Sequence, residues 1–394
     1  SEATSRATGS APGVPEGSTN GAQRRGQRPR TQIEAAESAR DTRGTTMRRG
    51  HRVGDDVARA RVVGLVSIFI VGSVVMAVKP GSCDNIDGDY IRSVGPDWVN
   101  ATGDHFGFVV RDGTKLRIEA EGGPGSIGKE YKYLGVNYWY GANVASKGPG
   151  GDRQRLEREL DNLAEMGVTN LRVMAASEGP DSEPYRMVPA MQISPGVYNE
   201  DVLDGLDYLL HEMRKRGMRA VMCLGNFWAW SGGLGQYLVW AGDASRIPYH
   251  PPAPGGSWRT YSEFITRFYE SRKAMSLYHD HIRYMLNRTN EYSGEKYVDD
   301  PTIMSWELAN EPRGLYRYQQ FLKWVKTTSK LIKELDPNHL VTIGLEGDTP
   351  DPSASGVNFV ELHSVDTIDY ATAHIWIENW EWYDPWHAAA TYST

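Results

Sequence analysis

The sequence predicts an α/β fold, a (β/α)8 TIM barrel that is C-terminally truncated after about six strands. Six short apolar runs alternate with amphipathic segments of helical period, and this alternation indicates a parallel sheet. A Trp- and Pro-rich insertion, residues 232–258, follows the third run at the end where such a barrel builds its cleft. A doubly wound open sheet also accommodates six strands, but no Gly-rich phosphate turn follows the first run.

Residues 1–61 form a predicted disordered basic tail. They contain twelve Arg, no Lys and only seven Asp or Glu, with many Gly, Ser, Thr and Pro and almost no aromatic residues. Such a composition buries too little apolar surface to offset the entropy lost on ordering the chain. A basic tail can bind nucleic acid, but its position beside an apolar segment favours a membrane-topology signal.

Residues 62–78 form a predicted transmembrane segment. These 17 residues are uncharged and rich in β-branched side chains, and their number is the lower limit for a helix that spans a bilayer. The basic tail before them predicts a type II membrane protein with a lumenal or extracellular C-terminal domain, or a protein secreted after cleavage. A buried core strand is the alternative interpretation of this segment.

Charge and cysteine content limit the possible partners. The chain has a net charge of −7, and residues 62–394 carry −12, so this surface would repel a polyphosphate and nucleic acid is not expected as a partner. The two cysteines, Cys83 and Cys223, lie in parts of the sequence that are not expected to meet, and no disulfide is predicted. No His pair has metal-ligand spacing, so no metal is predicted. The protein is also expected to be a monomer.

The sequence after the apolar segment divides into a linker with a hairpin, residues 79–129, and a barrel domain, residues 130–394. The hairpin is predicted around Asp112-Gly113. Helices are predicted at residues 153–166, after the cap residue Asp152, at 200–217 and at 316–335. The six barrel strands are predicted at residues 134–138, 170–174, 219–224, 302–308, 340–345 and 371–376.

The C-terminal ends of the predicted strands have side chains suited to a sugar site. Carboxylates, amides, an Arg and a His hydrogen-bond hydroxyl groups, and indole rings stack on the apolar faces of pyranoses. No Ser or Cys lies in a nucleophile elbow. In strand order the candidate residues are Asn137, Trp139, Arg172, Asn226, Trp228, Asn310, Glu311, Arg313, Glu346, His374 and Trp376.

Five motifs occur in barrel order: NYWYGANVAS, GVTNLRVMAASEGP, LGNFWAWSGG, DDPTIMSWELANEPRG and AHIWIENWEWYDP. Together they resemble the motifs of glycoside hydrolase family 5, and closely those of its endo-β-1,4-mannanases, over about residues 130–390. The resemblance implies a (β/α)8 fold without a cofactor. It also implies retaining endo-hydrolysis of β-1,4 linkages in mannan, glucomannan or galactomannan by two glutamates.

The resemblance also implies a role for each matching residue. Glu311 matches the general acid/base, Asn310 the residue that bonds the sugar 2-hydroxyl, and Arg172 the arginine that keeps the nucleophile ionised. His374 matches a histidine that lines the same subsite. The neighbouring Arg is expected to lower the pKa of one carboxyl, and an apolar setting to raise that of the other. The implied substrate-binding residues are Trp139, Asn226, Trp228, Arg313, Glu346 and Trp376.

Simpler interpretations exist for several of these residues. Arg172 could pair with a structural acid, His374 could be a core histidine, and Trp380, Trp382 and Trp386 could be packing residues.

The nucleophile of the family belongs at the end of a seventh strand, beyond the last residue of this sequence. We therefore expect mannan hydrolysis from the parent enzyme and none from these 394 residues alone. The alternatives are a β-1,4-glucanase of the same family, a carbohydrate-binding pseudoenzyme, or a fragment that fails to fold because two parallel strand edges stay open.

Overall fold

The structure of the protein, a computed structural model, describes residues 66–69, 106–120, 125–347 and 355–376. The chain divides into two units, residues 1–59 and 60–394, and all described residues belong to the second unit. The predicted disordered tail therefore lies outside the described residues, as do Cys83 and the tryptophans Trp380, Trp382 and Trp386.

From Leu134 onward, the strands of the central sheet alternate with helices. The strands are β1 (Val66–Phe69), β2 (Val109–Asp112), β3 (Lys115–Glu119), β4 (Ile127–Glu130), β5 (Leu134–Asn137), β6 (Val168–Met174), β7 (Gln192–Ser194), β8 (Val197–Tyr198), β9 (Arg219–Cys223), β10 (Ile303–Glu307), β11 (Leu340–Thr342) and β12 (Ala371–His374). The α-helices are α1 (Gly141–Ala145), α2 (Arg153–Glu165), α3 (Glu200–Lys215), α4 (Gly233–Ala241), α5 (Trp258–Ile265), α6 (Arg272–Leu286), α7 (Tyr318–Leu335) and α8 (Phe359–His363). Turns of 3₁₀ helix cover Ala229–Ser231, Thr266–Glu270, Tyr297–Asp299 and Leu315–Arg317.

The central sheet has five parallel strands in the order β11-β10-β9-β6-β5. The segment that contains β12 runs beside the β11 segment. The backbone N–H of Asp369 donates to the carbonyl of Val341, and that of His374 donates to the carbonyl of Glu346, both at 2.8 Å. All six predicted strands of the barrel domain are therefore present, and the residues that follow them meet at one end of the sheet.

The segment predicted to span a membrane contains a strand. Val66–Phe69 form β1, which pairs in parallel with β12 and places Val66 opposite Ala371. Among the residues that the structure describes, no helix is long and apolar enough to cross a bilayer. The prediction of a membrane helix over residues 62–78 is thus not supported by residues 66–69, the described part of that segment. The rest of that segment lies outside the described residues. A β-branched run suits a strand as well as a helix, so periodicity alone did not separate them.

The predicted helices form close to their predicted limits. In α2 the Asp152 carboxylate accepts a hydrogen bond from the backbone N–H of Arg155 at 2.9 Å, which satisfies one free donor of the first turn. The predicted hairpin is β2–β3, and β4 extends it to three strands. The β7–β8 hairpin was not predicted from the sequence, and neither was α4 inside the insertion of residues 232–258.

The two central strands are buried along their whole length. Every residue of β9 and of β10 is buried, because strands of a parallel sheet are covered on both faces. This explains why these strands occur as continuous apolar runs in the sequence. It also means that the charged residue Glu307, inside β10, needs a buried partner.

Candidate active site

A cavity of about 580 Å³ lies at the C-terminal ends of the strands. Its wall is built by residues that follow β5, β6, β9, β10 and β12. Parallel strands place these residues together because their C-terminal ends lie at the same edge of the sheet. Its lining is mainly aromatic, with one carboxylate among the described residues, Glu311. The lining residues are Trp139, Tyr140, Arg172, Met187, Trp228, Trp230, Asn310, Glu311, His374 and Trp376.

Side chains from two strand ends hold the Glu311 carboxylate. His374 Nδ1 lies 2.7 Å from Oε1, and the indole Nε1 of Trp376 donates to the same oxygen at 3.4 Å. The indole Nε1 of Trp228 donates to Oε2 at 2.6 Å. Glu311 is 8% exposed, so these three contacts fix a nearly buried carboxylate at the cavity wall.

These contacts set the ionisation of Glu311. Burial raises the pKa of this carboxyl, but the hydrogen bond and charge of His374 and the hydrogen bond from Trp228 outweigh burial, so the pKa lies below its usual value. The expectation that an apolar setting raises the pKa of the acid is therefore wrong for Glu311 in this structure. His374 was predicted to lie in the same subsite, but its direct contact with this carboxylate was not predicted.

The backbone at Glu311 has an unusual conformation. Its φ is +53°, in the left-handed region that a residue with a Cβ rarely adopts. The strand ends on either side hold it there: the backbone N–H of Glu311 donates to the carbonyl of Gly344, and that of Asn310 donates to the carbonyl of Gly225, both at 2.9 Å. Strain of this kind is typical of functional residues that the surrounding structure keeps in place.

A buried ion pair lies beneath Asn310. The Arg172 guanidinium binds the Glu307 carboxylate through both of its oxygens, one of them from Nε at 2.9 Å, and both side chains are fully buried. Nη2 of Arg172 also donates to Oδ1 of Asn310 at 3.0 Å. Arg172 therefore does pair with a structural acid, as its simpler interpretation held, and it also lines the cavity and orients Asn310.

Arg313 and Glu346 form a second ion pair beside the cavity. Their closest atoms, Nη2 and Oε2, are 2.6 Å apart, and the guanidinium carbon lies 5.0 Å from the ring centre of Trp228. Burial raises the pKa of Glu346, the charge of Glu311 raises it further, and Arg313 offsets this only in part. Neither residue is part of the cavity lining, so each affects the cavity through Trp228 or through its charge.

Asn226 has a different place from the one predicted. Its side chain is fully buried behind the cavity wall, where Oδ1 accepts from the backbone N–H of Trp228 at 3.0 Å and from Nδ2 of Asn310 at 3.2 Å. All of these bonds are internal, so the prediction that Asn226 contacts substrate is not supported. Asn226 instead positions two residues that do line the cavity.

Several lining residues were missed by the sequence analysis. Trp230 follows Trp228 by two residues and contacts Trp139, with ring centres 5.5 Å apart, so the Trp-x-Trp spacing was an available signal. Met187 lies on the long loop after β6 and has no signal of its own in the sequence. Among the described residues, no group of three His, Cys, Asp or Glu side chains is arranged to hold a metal ion.

The loop between β6 and β7 contains a buried acid, Glu178, which should make the stability of the fold depend on pH. Burial raises its pKa to about 7, and the hydrogen bond from the backbone N–H of Gly233 and the charge of Arg186 only partly offset this. The folded-state pKa is thus above the unfolded value. The stability that comes from protonating Glu178 is complete below the unfolded pKa and is lost as the pH rises through the folded one.

Replacing Glu178 by Gln removes this proton-linked contribution. Between pH 5 and pH 8, the free energy of unfolding of the variant should therefore rise by about 3 kcal/mol relative to that of the unmodified protein. Denaturant titrations at both pH values would measure this. The exposed Glu334, paired with Lys330 at 3.6 Å, supplies the control Glu334→Gln. If the difference in free energy of unfolding between Glu178→Gln and the unmodified protein were equal at pH 5 and pH 8, the raised pKa of Glu178 would be contradicted.

A carboxylate beside an amide, in a Trp-lined cavity at the C-terminal ends of parallel strands, is typical of barrels that act on carbohydrates. Comparison with known proteins agrees with this class. A family model described as GH family 5 beta-mannosidase-like matches residues 121–394. The chain belongs to glycoside hydrolase family 5, whose members have the (β/α)8 barrel fold.

Relatives in this family include plant mannanases. Mannan endo-1,4-beta-mannosidase 4 of Oryza sativa subsp. japonica is 31% identical over 301 residues, which are 73% of this chain and 59% of that protein. Mannan endo-1,4-beta-mannosidase 5 of Solanum lycopersicum is 32% identical over 265 residues, 64% of this chain and 58% of that protein. The chain thus spans somewhat more than half the length of these relatives.

A solved structure is also similar. The glycoside hydrolase family 5 mannosidase from Rhizomucor miehei is 42% identical, with a TM-score of 0.64, over 73% of this chain and 66% of that one. A mutant of that mannosidase has been solved in complex with mannosyl-fructose.

Proposed function

We propose that the protein hydrolyses β-1,4-mannosidic linkages in mannan, glucomannan or galactomannan. The main support is the Glu311 carboxylate, which is held at the wall of a cavity lined by Trp139, Trp228 and Trp376. Indole faces suit the apolar faces of sugar rings, and the carboxyl group suits proton transfer at a glycosidic oxygen. The names of the relatives support mannose as the sugar.

In the proposed reaction the protonated form of Glu311, which its lowered pKa makes the minor form in the free site, gives its proton to the leaving oxygen. Glu311 then, as a carboxylate, takes a proton from the attacking water. Asn310 donates to the sugar beside the cleaved bond, in an orientation fixed by Arg172 at 3.0 Å. His374 controls the charge of Glu311 through Nδ1. Its Nε2 atom is buried and has no hydrogen-bond partner among the described residues.

A retaining mechanism needs a second carboxylate as the nucleophile. Glu311 is the sole carboxylate that lines the cavity among the described residues, so we assign the nucleophile to none of them. Glu307 is occupied by Arg172 and Glu346 by Arg313. The expectation that these 394 residues alone do not hydrolyse mannan stays a prediction.

The test is a comparison of reducing-sugar release by the natural protein from mannan, glucomannan and carboxymethyl cellulose. We expect release from the first two substrates and none from the third. Faster release from carboxymethyl cellulose would favour the β-1,4-glucanase alternative. Retardation in galactomannan affinity gels without any product would favour the carbohydrate-binding pseudoenzyme.

A further inference from the structure

Trp258 is a large aromatic side chain that the structure leaves accessible next to the cavity. It is the first residue of α5, at the end of the insertion of residues 232–258, and it is 46% exposed. Its ring stacks on His250, with ring centres 3.9 Å apart and an interplanar angle of 11°. Because His250 covers one face of the indole, the exposed surface leaves the other face available to a ligand.

Trp258 directly adjoins the cavity wall through Trp228. The two indole rings meet edge to face, with centres 5.8 Å apart and an angle of 86° between their planes. Trp228 lines the cavity and donates to Glu311, and Arg313 lies 5.0 Å from its ring centre. Aromatic surface therefore continues from the Glu311 carboxylate through Trp228 to Trp258.

The position of Trp258 is fixed by its helix. The Ser257 hydroxyl caps α5 by accepting from the backbone N–H of Thr260 at 3.2 Å. Tyr261, on the first turn of α5, donates its hydroxyl proton to the carbonyl of Phe227 at 2.6 Å, which ties the helix to the loop that carries Trp228. A ring held in this way loses little further freedom when it binds a ligand.

We propose that Trp258 is a distal sugar-stacking subsite, which takes a pyranose of a mannan chain beyond the units held in the cavity. This inference rests on the proposed function, because the occupant is another part of the same polysaccharide. The support is the accessible face of a preorganised indole and its continuity with Trp228. Such a ring buries the apolar face of a sugar while the sugar hydroxyls stay in water.

The test compares substrates of different length. Trp258→Ala should lower kcat/KM for mannohexaose roughly three- to tenfold, which is the loss expected for one aromatic stacking contact. The same variant should leave kcat/KM for mannotriose within about twofold, because a short substrate occupies the cavity alone. Trp258→Phe should recover part of the loss. Met166→Ala is the control, since Met166 is 63% exposed and lies just before β6, at the opposite end of the strands.

Binding measurements separate this inference from the proposed function. Calorimetric titration of mannohexaose into Glu311→Gln and into Glu311→Gln/Trp258→Ala measures affinity without turnover, and weaker binding by the double variant supports the subsite. Equal affinities, or an equal loss of kcat/KM for mannotriose and mannohexaose, would overturn the subsite while the proposed function stands. No binding or hydrolysis of any manno-oligosaccharide by the unmodified protein would overturn both.

Discussion

Replacing Glu311 by Gln is expected to lower the kcat of mannan hydrolysis by about 10²- to 10⁴-fold. Gln has nearly the same shape as Glu, and its single amide oxygen can still accept the hydrogen bond from the Trp228 indole, so the cavity should keep its form. It cannot give or take a proton at the glycosidic oxygen. Initial rates on soluble mannan would measure the loss.

Two controls define this result. Glu334→Gln, an exposed carboxyl on α7, should keep the activity of the unmodified protein. Glu311→Gln itself should keep its affinity for manno-oligosaccharides within a few fold, because Trp139 and Trp376 are unchanged in the cavity wall. If hydrolysis by Glu311→Gln remained close to that of the unmodified protein, the acid/base role would have to be withdrawn.

Replacing Glu307 by Gln is expected to lower the free energy of unfolding by about 3–5 kcal/mol, because it leaves the fully buried charge of Arg172 without its partner. The Cys223 thiol, whose Sγ is 3.2 Å from Glu307 Oε1, would also lose a charged acceptor. Urea titration followed by circular dichroism would measure the change.

The exposed pair Lys330–Glu334 provides the matched comparison for this buried pair. Glu334→Gln removes one partner of an ion pair in water and should cost about 0–1 kcal/mol. Removing both buried charges with Arg172→Met/Glu307→Gln should recover part of the stability lost in Glu307→Gln. A loss below about 1 kcal/mol for Glu307→Gln would show that the buried charge of Arg172 does not depend on Glu307 for its stabilisation.

Much of the barrel could be predicted because its strands are buried on both faces. Strands β9 and β10 therefore occur as apolar runs, and the residues directly after them, such as Trp228 and Glu311, were identified by position. The ion pair Arg172–Glu307 could not be found in this way. The two residues are 135 positions apart and lie on strands separated by β9, so their contact depends on register.

Other parts of the site depend on loop paths that no local pattern specifies. Asn226 and Trp228 are two residues apart after the same strand, yet one side chain points behind the wall and the other lines the cavity. The segment around β1 was ambiguous because a β-branched run suits a strand or a membrane helix. The lowered pKa of Glu311 follows from its contact with His374, which lies 63 residues away in the sequence.

The most direct test of the acid role of Glu311 is the dependence on leaving group. We would measure kcat/KM of the natural protein and of Glu311→Gln on mannopentaose and on 2,4-dinitrophenyl β-mannoside, whose leaving group departs without protonation. If Glu311 is the acid, Glu311→Gln should lose about 10²- to 10⁴-fold on mannopentaose and less than about tenfold on the aryl mannoside. An equal loss on both substrates would contradict the acid role.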